Sequence, residues 1–283
     1  MKKLILCIVT CSIAIGIWAT AQTGDLIIIN GEMWVLLARP INYDSALYQG
    51  LKTILPGERA ISSANWDGYT AYWSIRNEQV YLDSIKVRFY NSETNEEKNM
   101  CLPSSDVLRV FKRYASGKNI PASWVSKELR TAKGKVIYYV HDAYERYYEE
   151  ELLFTATNGK VTDMKAFHNQ LVTDGYTLDA FNPWKINELC PLHKTDYPDM
   201  EDIKAVFFEV TDVKVDSLGN MIDCNIKASI RRSDNNEWQY VTAPAQEMKE
   251  RLMSLRPWKT ALVYGEYIAE INRGVFFRYV FKE

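Results

Sequence analysis

The sequence predicts an α+β protein, with a mostly antiparallel, β-rich N-terminal domain over residues 22–190 and a small α+β domain over residues 198–283. Three patterns carry that prediction. Asn30-Gly31 and Asn158-Gly159 each lie between runs rich in apolar and β-branched residues, and Asn-Gly most readily takes positive φ at both central positions of a type I′ hairpin turn. Ile222, Cys224, Ile226, Ala228 and Ile230 alternate with polar residues, as in a strand with one wet face. Ala245, Met248, Leu252 and Leu255 recur every three or four positions, which is the stripe of a half-buried helix. With 283 residues, 47% of them hydrophobic and 25% charged, the chain has ordinary globular composition and room for two modest cores.

At the N-terminus, Lys2-Lys3 precede an apolar run from Leu4 to Trp18 and then Ala19-Thr20-Ala21. A basic start, a short apolar run and an Ala-x-Ala exit predict a secretory signal peptide over residues 1–21, with a mature chain beginning at Gln22. The run is shorter than the roughly 20 residues a membrane span needs, and no second apolar span follows. The expected compartment is therefore the periplasm or the exterior, with no transmembrane span in the mature chain. Ile8-Val9-Thr10-Cys11 places threonine where a lipoprotein signal takes Gly, Ala or Ser, so lipidation is not expected. Cleavage removes Lys2 and Lys3 and moves the formal charge from -2 to -4. It leaves Cys101, Cys190 and Cys224, enough for one disulfide at most. No basic excess points to nucleic acid.

Along the N-terminal half, Leu26–Ile29 and Met33–Leu37 form the first hairpin. Asn42–Ala64 is irregular, with breakers at Pro56-Gly57. Asn65–Ile75 has the aromatic and β-branched content of a strand and turns through Arg76-Asn77-Glu78-Gln79 into Val80-Tyr81-Leu82 and the strand Ile85–Tyr90. Asn91–Asn99 is polar and reads as an exposed loop. A short helix capped by Ser104 or Ser105 follows, with Val107, Leu108, Phe111 and Tyr114 on one face and Gly117 at its end. Pro121–Arg130 fits either a helix turn or a bent strand. Val136–Val140, Glu151–Thr157 and Lys160–Phe167 are strands. The tyrosines at 138, 139, 144, 147 and 148 either cover a twisted sheet or form a binding surface. Asp179–Asp199 holds Pro183, Pro191 and Pro198 without periodicity, as a linker would.

In the C-terminal part, Val206, Phe208 and Val210 share one parity and Val213 and Val215 the other, which predicts a bulge near Thr211-Asp212. Pro244 suits the first helical turn. Val275, Phe277, Tyr279 and Phe281 give the last strand a core face. Two strands around Ser217-Leu218-Gly219-Asn220, a helix leaving through Arg256-Pro257-Trp258-Lys259, and a closing aromatic strand resemble the C-terminal domain of the TonB energy-transducer family. The resemblance covers roughly 75 residues, departing from the family where Ile230–Thr242 is inserted. It implies a small sheet packed by helices that binds a short receptor peptide by strand addition, using unpaired backbone groups of an edge strand. Ser63-Ala64-Asn65-Trp66-Asp67-Gly68-Tyr69 is similar to a segment of uncharacterised secreted proteins of Bacteroidota, and this names no activity.

Motifs for chemistry fail on inspection. His141, His168 and His193 lie on separate segments. Cys190-Pro-Leu-His193 has the spacing of half a zinc site without the other half. Asp216–Lys227 puts Leu218 where a calcium loop needs an oxygen ligand. Gly134-Lys135 lacks the preceding glycine of a phosphate loop, and there is no G-x-S-x-G elbow. Glu149, Glu150 and Glu151 read as a solvated strand edge. No catalytic residue, metal or cofactor is expected. The expected function is non-catalytic binding of a protein or peptide of the cell envelope. Trp66, Tyr69, Val275, Phe277 and Tyr279 are the candidate binding residues; Trp66 and Tyr69 flank an Asp67-Gly68 turn and either line a rim or pack the sheet with Trp73. Two alternatives stand beside this, an immunity or inhibitor protein neutralising a periplasmic toxin and a hydrolase with a dispersed site.

Overall fold

Positive-φ turns set the strand order of the first half. A computed structural model describes residues 21–91, 94, 96–139, 143–178, 183–200, 203, 205–231, 238–269 and 275–281; residues 1–20, and with them nearly all of the expected signal peptide, lie outside that set. Asn30 and Gly31 take φ of 52° and 84° between β1 (Asp25–Ile29) and β2 (Glu32–Leu36). Asn77 and Glu78 take 49° and 61° between β3 (Tyr69–Arg76) and β4 (Gln79–Asn91). Asn158 and Gly159 take 50° and 76° between β8 (Arg146–Thr157) and β9 (Lys160–His168). With β5 (Glu96–Cys101), β6 (Ile120–Pro121) and β7 (Lys127–Tyr139) these form one nine-stranded sheet.

That sheet returns to its start. The path β3-β1-β2-β7-β8-β9-β4 closes because β4 also pairs with β3. Every pairing in it is antiparallel except β1 with β3. Closure removes the free edges of the ring and gathers Ile27, Trp34, Trp73, Ile85, Leu129 and Phe154 into one buried cluster.

Several expectations change here. Asn42–Ala64 contains a helix, α1 (Ser45–Lys52), whose first N–H groups are capped by the Asp44 carboxylate at 2.9 and 3.1 Å. The helix α2 (Ser104–Val110) starts behind Pro103 and takes no cap from either serine side chain. Within the stretch expected to be a loop, residues 96–99 belong to β5, which pairs with the end of β4. The expected linker holds the helix α3 (Pro183–Leu189), with Pro183 at its start, where a missing N–H costs nothing. Leu178, Ile186, Cys190, Leu192 and Tyr197 are buried with the C-terminal core, so this segment is packed structure and not a spacer.

The C-terminal core forms around β11 (Ala205–Val215), β12 (Met221–Arg231), β13 (Trp238–Val241), α4 (Ala243–Ser254) and β16 (Val275–Val280). The four strands make an antiparallel sheet in the order β13-β12-β11-β16, and α4 packs against β12 with Met248 and Leu252 buried. The expected bulge is present: register slips between Thr211 and Lys214, and Asp212 takes a φ of 51°. A second slip beside Met221 buries that residue and leaves Ile222 outside the apolar set. The hairpin β14 (Thr260–Val263) and β15 (Glu266–Ala269) stays out of this sheet. It pairs instead with β10 (Gln170–Thr173), making a separate three-stranded sheet. Cys101 is exposed, Cys190 and Cys224 are buried, and all three are free thiols.

The ring buries the Asp25 carboxylate outright. Asp25 accepts from Ala71 N at 3.0 Å and Trp73 Nε1 at 3.0 Å. Burial pushes its carboxyl up to about 6, against the opposing pull of the Arg39 guanidinium. The folded state then holds a proton that the unfolded state has released, so stability from this group is present below about pH 4 and lost as pH rises to about 6. At about 1.36 kcal/mol per pH unit the loss is about 3 kcal/mol. Guanidinium unfolding at about pH 3, 5 and 7 should show the gap between wild type and Asp25→Asn changing by that amount; a pH-independent gap contradicts this.

Candidate binding surface

The residues expected to bind fall into two places, and the structure sorts them differently from the sequence. In the segment Ser63–Tyr69, Asn65 holds the loop together. Its Oδ1 accepts from Gly68 N at 3.0 Å and Arg39 Nη2 at 2.7 Å, and its Nδ2 donates to Tyr69 O at 3.0 Å. Asp67 accepts from Arg39 Nη1 at 3.3 Å and Tyr48 Oη at 2.6 Å. Gly68 sits at a φ of 67° with Arg59 and the Ala60 carbonyl where a Cβ would fall. Tyr69 is buried with its hydroxyl on Asn42 Oδ1, and Trp73 lies in the same core, so neither side chain is open to a partner. Trp66 alone is displayed, at 71% exposure.

At the other place, Val275, Phe277 and Tyr279 are all buried as part of the core. Their side chains are not a contact surface; only the backbone of β16 remains a candidate. It pairs with β11 on one side and, among the described residues, is the terminal strand of its sheet, with α3 packed against it. The opposite parity of β16 carries Phe276, Arg278 and Val280, with Phe276 56% exposed. Phe276 stacks on Phe207 of β11 at 5.6 Å and 14°, and Phe207 meets Trp238 of β13 edge-on at 5.0 Å. An aromatic stripe therefore crosses the outer face from β16 to β13, with Tyr240 beside it at 77% exposure. The Glu209–Lys227 pair at 3.7 Å lies on the same strands. Sequence reasoning missed these residues because it followed only the core parity; aromatics on the opposite parity were the available signal. Between β12, β13 and α4 a groove of about 450 Å³ is lined by Ile226, Lys227, Tyr240, Val241, Thr242 and Ala245.

The aromatic cluster at 138–148 has a third role, neither cover nor free surface. Tyr138 and Tyr147 pack at 5.9 Å, and Tyr147 and Phe167 receive Tyr264, from the β14–β15 turn, at 5.5 and 4.7 Å. The Tyr264 hydroxyl donates to Glu151, which also accepts from Tyr148 N at 2.6 Å. Arg130 Nε lies 3.3 Å from Glu151 Oε2 without hydrogen-bond alignment, so that contact is Coulombic. Asn169 accepts from Tyr264 N at 3.1 Å and donates to Tyr148 O at 2.8 Å. Burial pushes the Glu151 carboxyl upward, with Arg130 and Tyr264 opposing. Glu151 is thus no solvated edge, since β8 is paired on both sides.

Among the described residues no three His, Cys, Asp or Glu side chains gather. Cys190 is buried, and its thiol is pushed up to about 11 by burial, which disfavours the thiolate that zinc or a nucleophile needs. His168 contacts the exposed Glu150, at 2.6 Å. No helix among the described residues is long and apolar enough to cross a membrane. Comparison with known protein families, curated proteins and solved structures returns no match to this chain.

Proposed function

We propose that the protein is a non-catalytic binder in the cell envelope that takes an extended peptide segment of another envelope protein onto the β16 edge of its C-terminal sheet. The observation that carries this is the contrast between the β5 and β16 edges. The N-terminal ring closes, and the edge strand appended to it, β5, presents Glu96, Glu97 and Lys98, charges of the kind that discourage strand addition. β16 reads Val-Phe-Phe-Arg-Tyr-Val, six residues with one charge, continuous with an aromatic outer face. Backbone bonds would supply affinity, and Phe276, Phe207 and Trp238 would meet alternate side chains of the added strand. The signal-like N-terminus and the resemblance of the Gly219 turn, the Arg-Pro-Trp-Lys exit and the closing strand to a peptide-binding family support the same reading.

The test is capture from envelope extracts by the mature chain. Phe276→Glu changes an exposed side chain, so melting should stay within about 2 °C, as surface changes usually do, while capture of the partner is lost. Undiminished capture by this variant contradicts the proposal.

A further inference from the structure

A second concave site lies on the outer wall of the N-terminal ring, independent of the β16 edge. It is a polar pocket of about 140 Å³ bounded by the Ser62–Tyr69 loop and by the outward residues of β3, β4 and β5. Strand register builds it: Thr70 lies opposite Lys86, and Arg88 opposite Asn99. Two cations and no carboxylate line it, in a chain whose formal charge is negative. Lys86 makes no ion pair among the described residues; its ammonium sits 4.1 Å from the Tyr72 ring centroid, inside the wall of the pocket. Arg88 Nη1 lies 3.4 Å from Glu97 Oε1, and a guanidinium carries five N–H donors in all. Ser62 Oγ accepts from Asn65 N at 3.1 Å, so its own proton is available to donate. The loop that forms the opposite wall is pinned by Arg39, Asp67 and Tyr48, so that wall is in place before any ligand arrives.

We propose that this pocket binds a small oxyanion: a carboxylate, phosphate or sulfate group. Concave walls of one charge sign raise the local anion concentration, and charge-assisted bonds from an ammonium and a guanidinium are stronger than neutral ones. At about 30 Å³ per water the space holds a single tetrahedral or planar anion with a few waters. The exposed Trp66 stands in the same loop, where an aromatic face could stack on a sugar ring that carries the anion.

Calorimetric titration of the mature chain with inorganic phosphate, sulfate, glucuronate and neutral glucose tests this. At least one anion should bind saturably, one per chain, while glucose does not. Lys86→Gln should weaken that binding by about tenfold or more. Lys52→Gln should leave it unchanged, because Lys52 makes the same 4.1 Å contact with a tyrosine ring outside the pocket. Glucuronate binding more tightly than phosphate, with the advantage lost in Trp66→Ala, identifies an acidic sugar; equal affinities identify the free anion. Absence of saturable binding by every anion, full affinity in Lys86→Gln, or equal loss in Lys52→Gln overturns the proposal.

Discussion

Replacing Trp258 with alanine should destabilise the protein by about 3–5 kcal/mol, the usual loss for a fully buried tryptophan. Trp258 joins three segments that are far apart in the sequence. Its backbone N–H donates to Gly219 O at 2.7 Å, and its Nε1 donates to Leu252 O at the end of α4 at 3.2 Å. Its ring meets Tyr176 at 6.1 Å. Two glycines make the approach possible. A Cβ on Gly219 would fall 2.5 Å from Trp258 O, and one on Gly175 would fall 2.1 Å from Pro257 O. Trp258→Phe keeps part of the ring burial but not the indole donor, so it should cost clearly less than alanine. Urea unfolding followed by far-UV dichroism measures both, and a loss below about 1 kcal/mol for alanine would contradict this account of the joint.

Glu151→Ala should cost a comparable amount, about 3–5 kcal/mol, because it strands a guanidinium that its partner had compensated. Arg130 is only 20% exposed and keeps its bonds to the Tyr144 and Arg146 carbonyls, so the charge stays in place after the acid is gone. The Tyr264 hydroxyl and Tyr148 N–H lose their acceptor as well. Tyr264→Phe removes one donor and leaves the ion contact, so its cost should be nearer 1 kcal/mol. If Glu151→Ala proves no worse than Tyr264→Phe, the buried charge is not the reason the hairpin seats here.

The sequence made visible what short-range chemistry decides. Both Asn-Gly turns, the parity change at Thr211-Asp212 and the Met248–Leu252 stripe of α4 follow from φ preferences and periodicity, and the structure has them. What it hid depends on distant partners. Ring closure through Gln79 and Lys160, and the parallel pairing of Ile27 with Trp73, leave no local trace. The departure of β14 and β15 to pair with β10 cannot be read from either stretch alone. Their turn also lacks the usual signal, because Tyr264 takes a φ of 54° where Asn or Gly is common. In Asp179–Asp199 three prolines masked a helix, since a proline opens a helix as readily as it ends one. For the proposed binding surface, a free edge on a small open sheet was legible as an architectural necessity, but which strand forms it was not. The outward residues of β16 were not singled out, because aromatics usually signal a core.

Hydrogen exchange of the mature chain, with and without a captured envelope partner, tests the central claim most directly. Strand addition at β16 pairs N–H groups on the outer side of residues 275–280, so alternate amides there should gain protection on binding while β5 is unchanged. Protection appearing only in the N-terminal ring, with residues 275–280 exchanging as in the free protein, would contradict it.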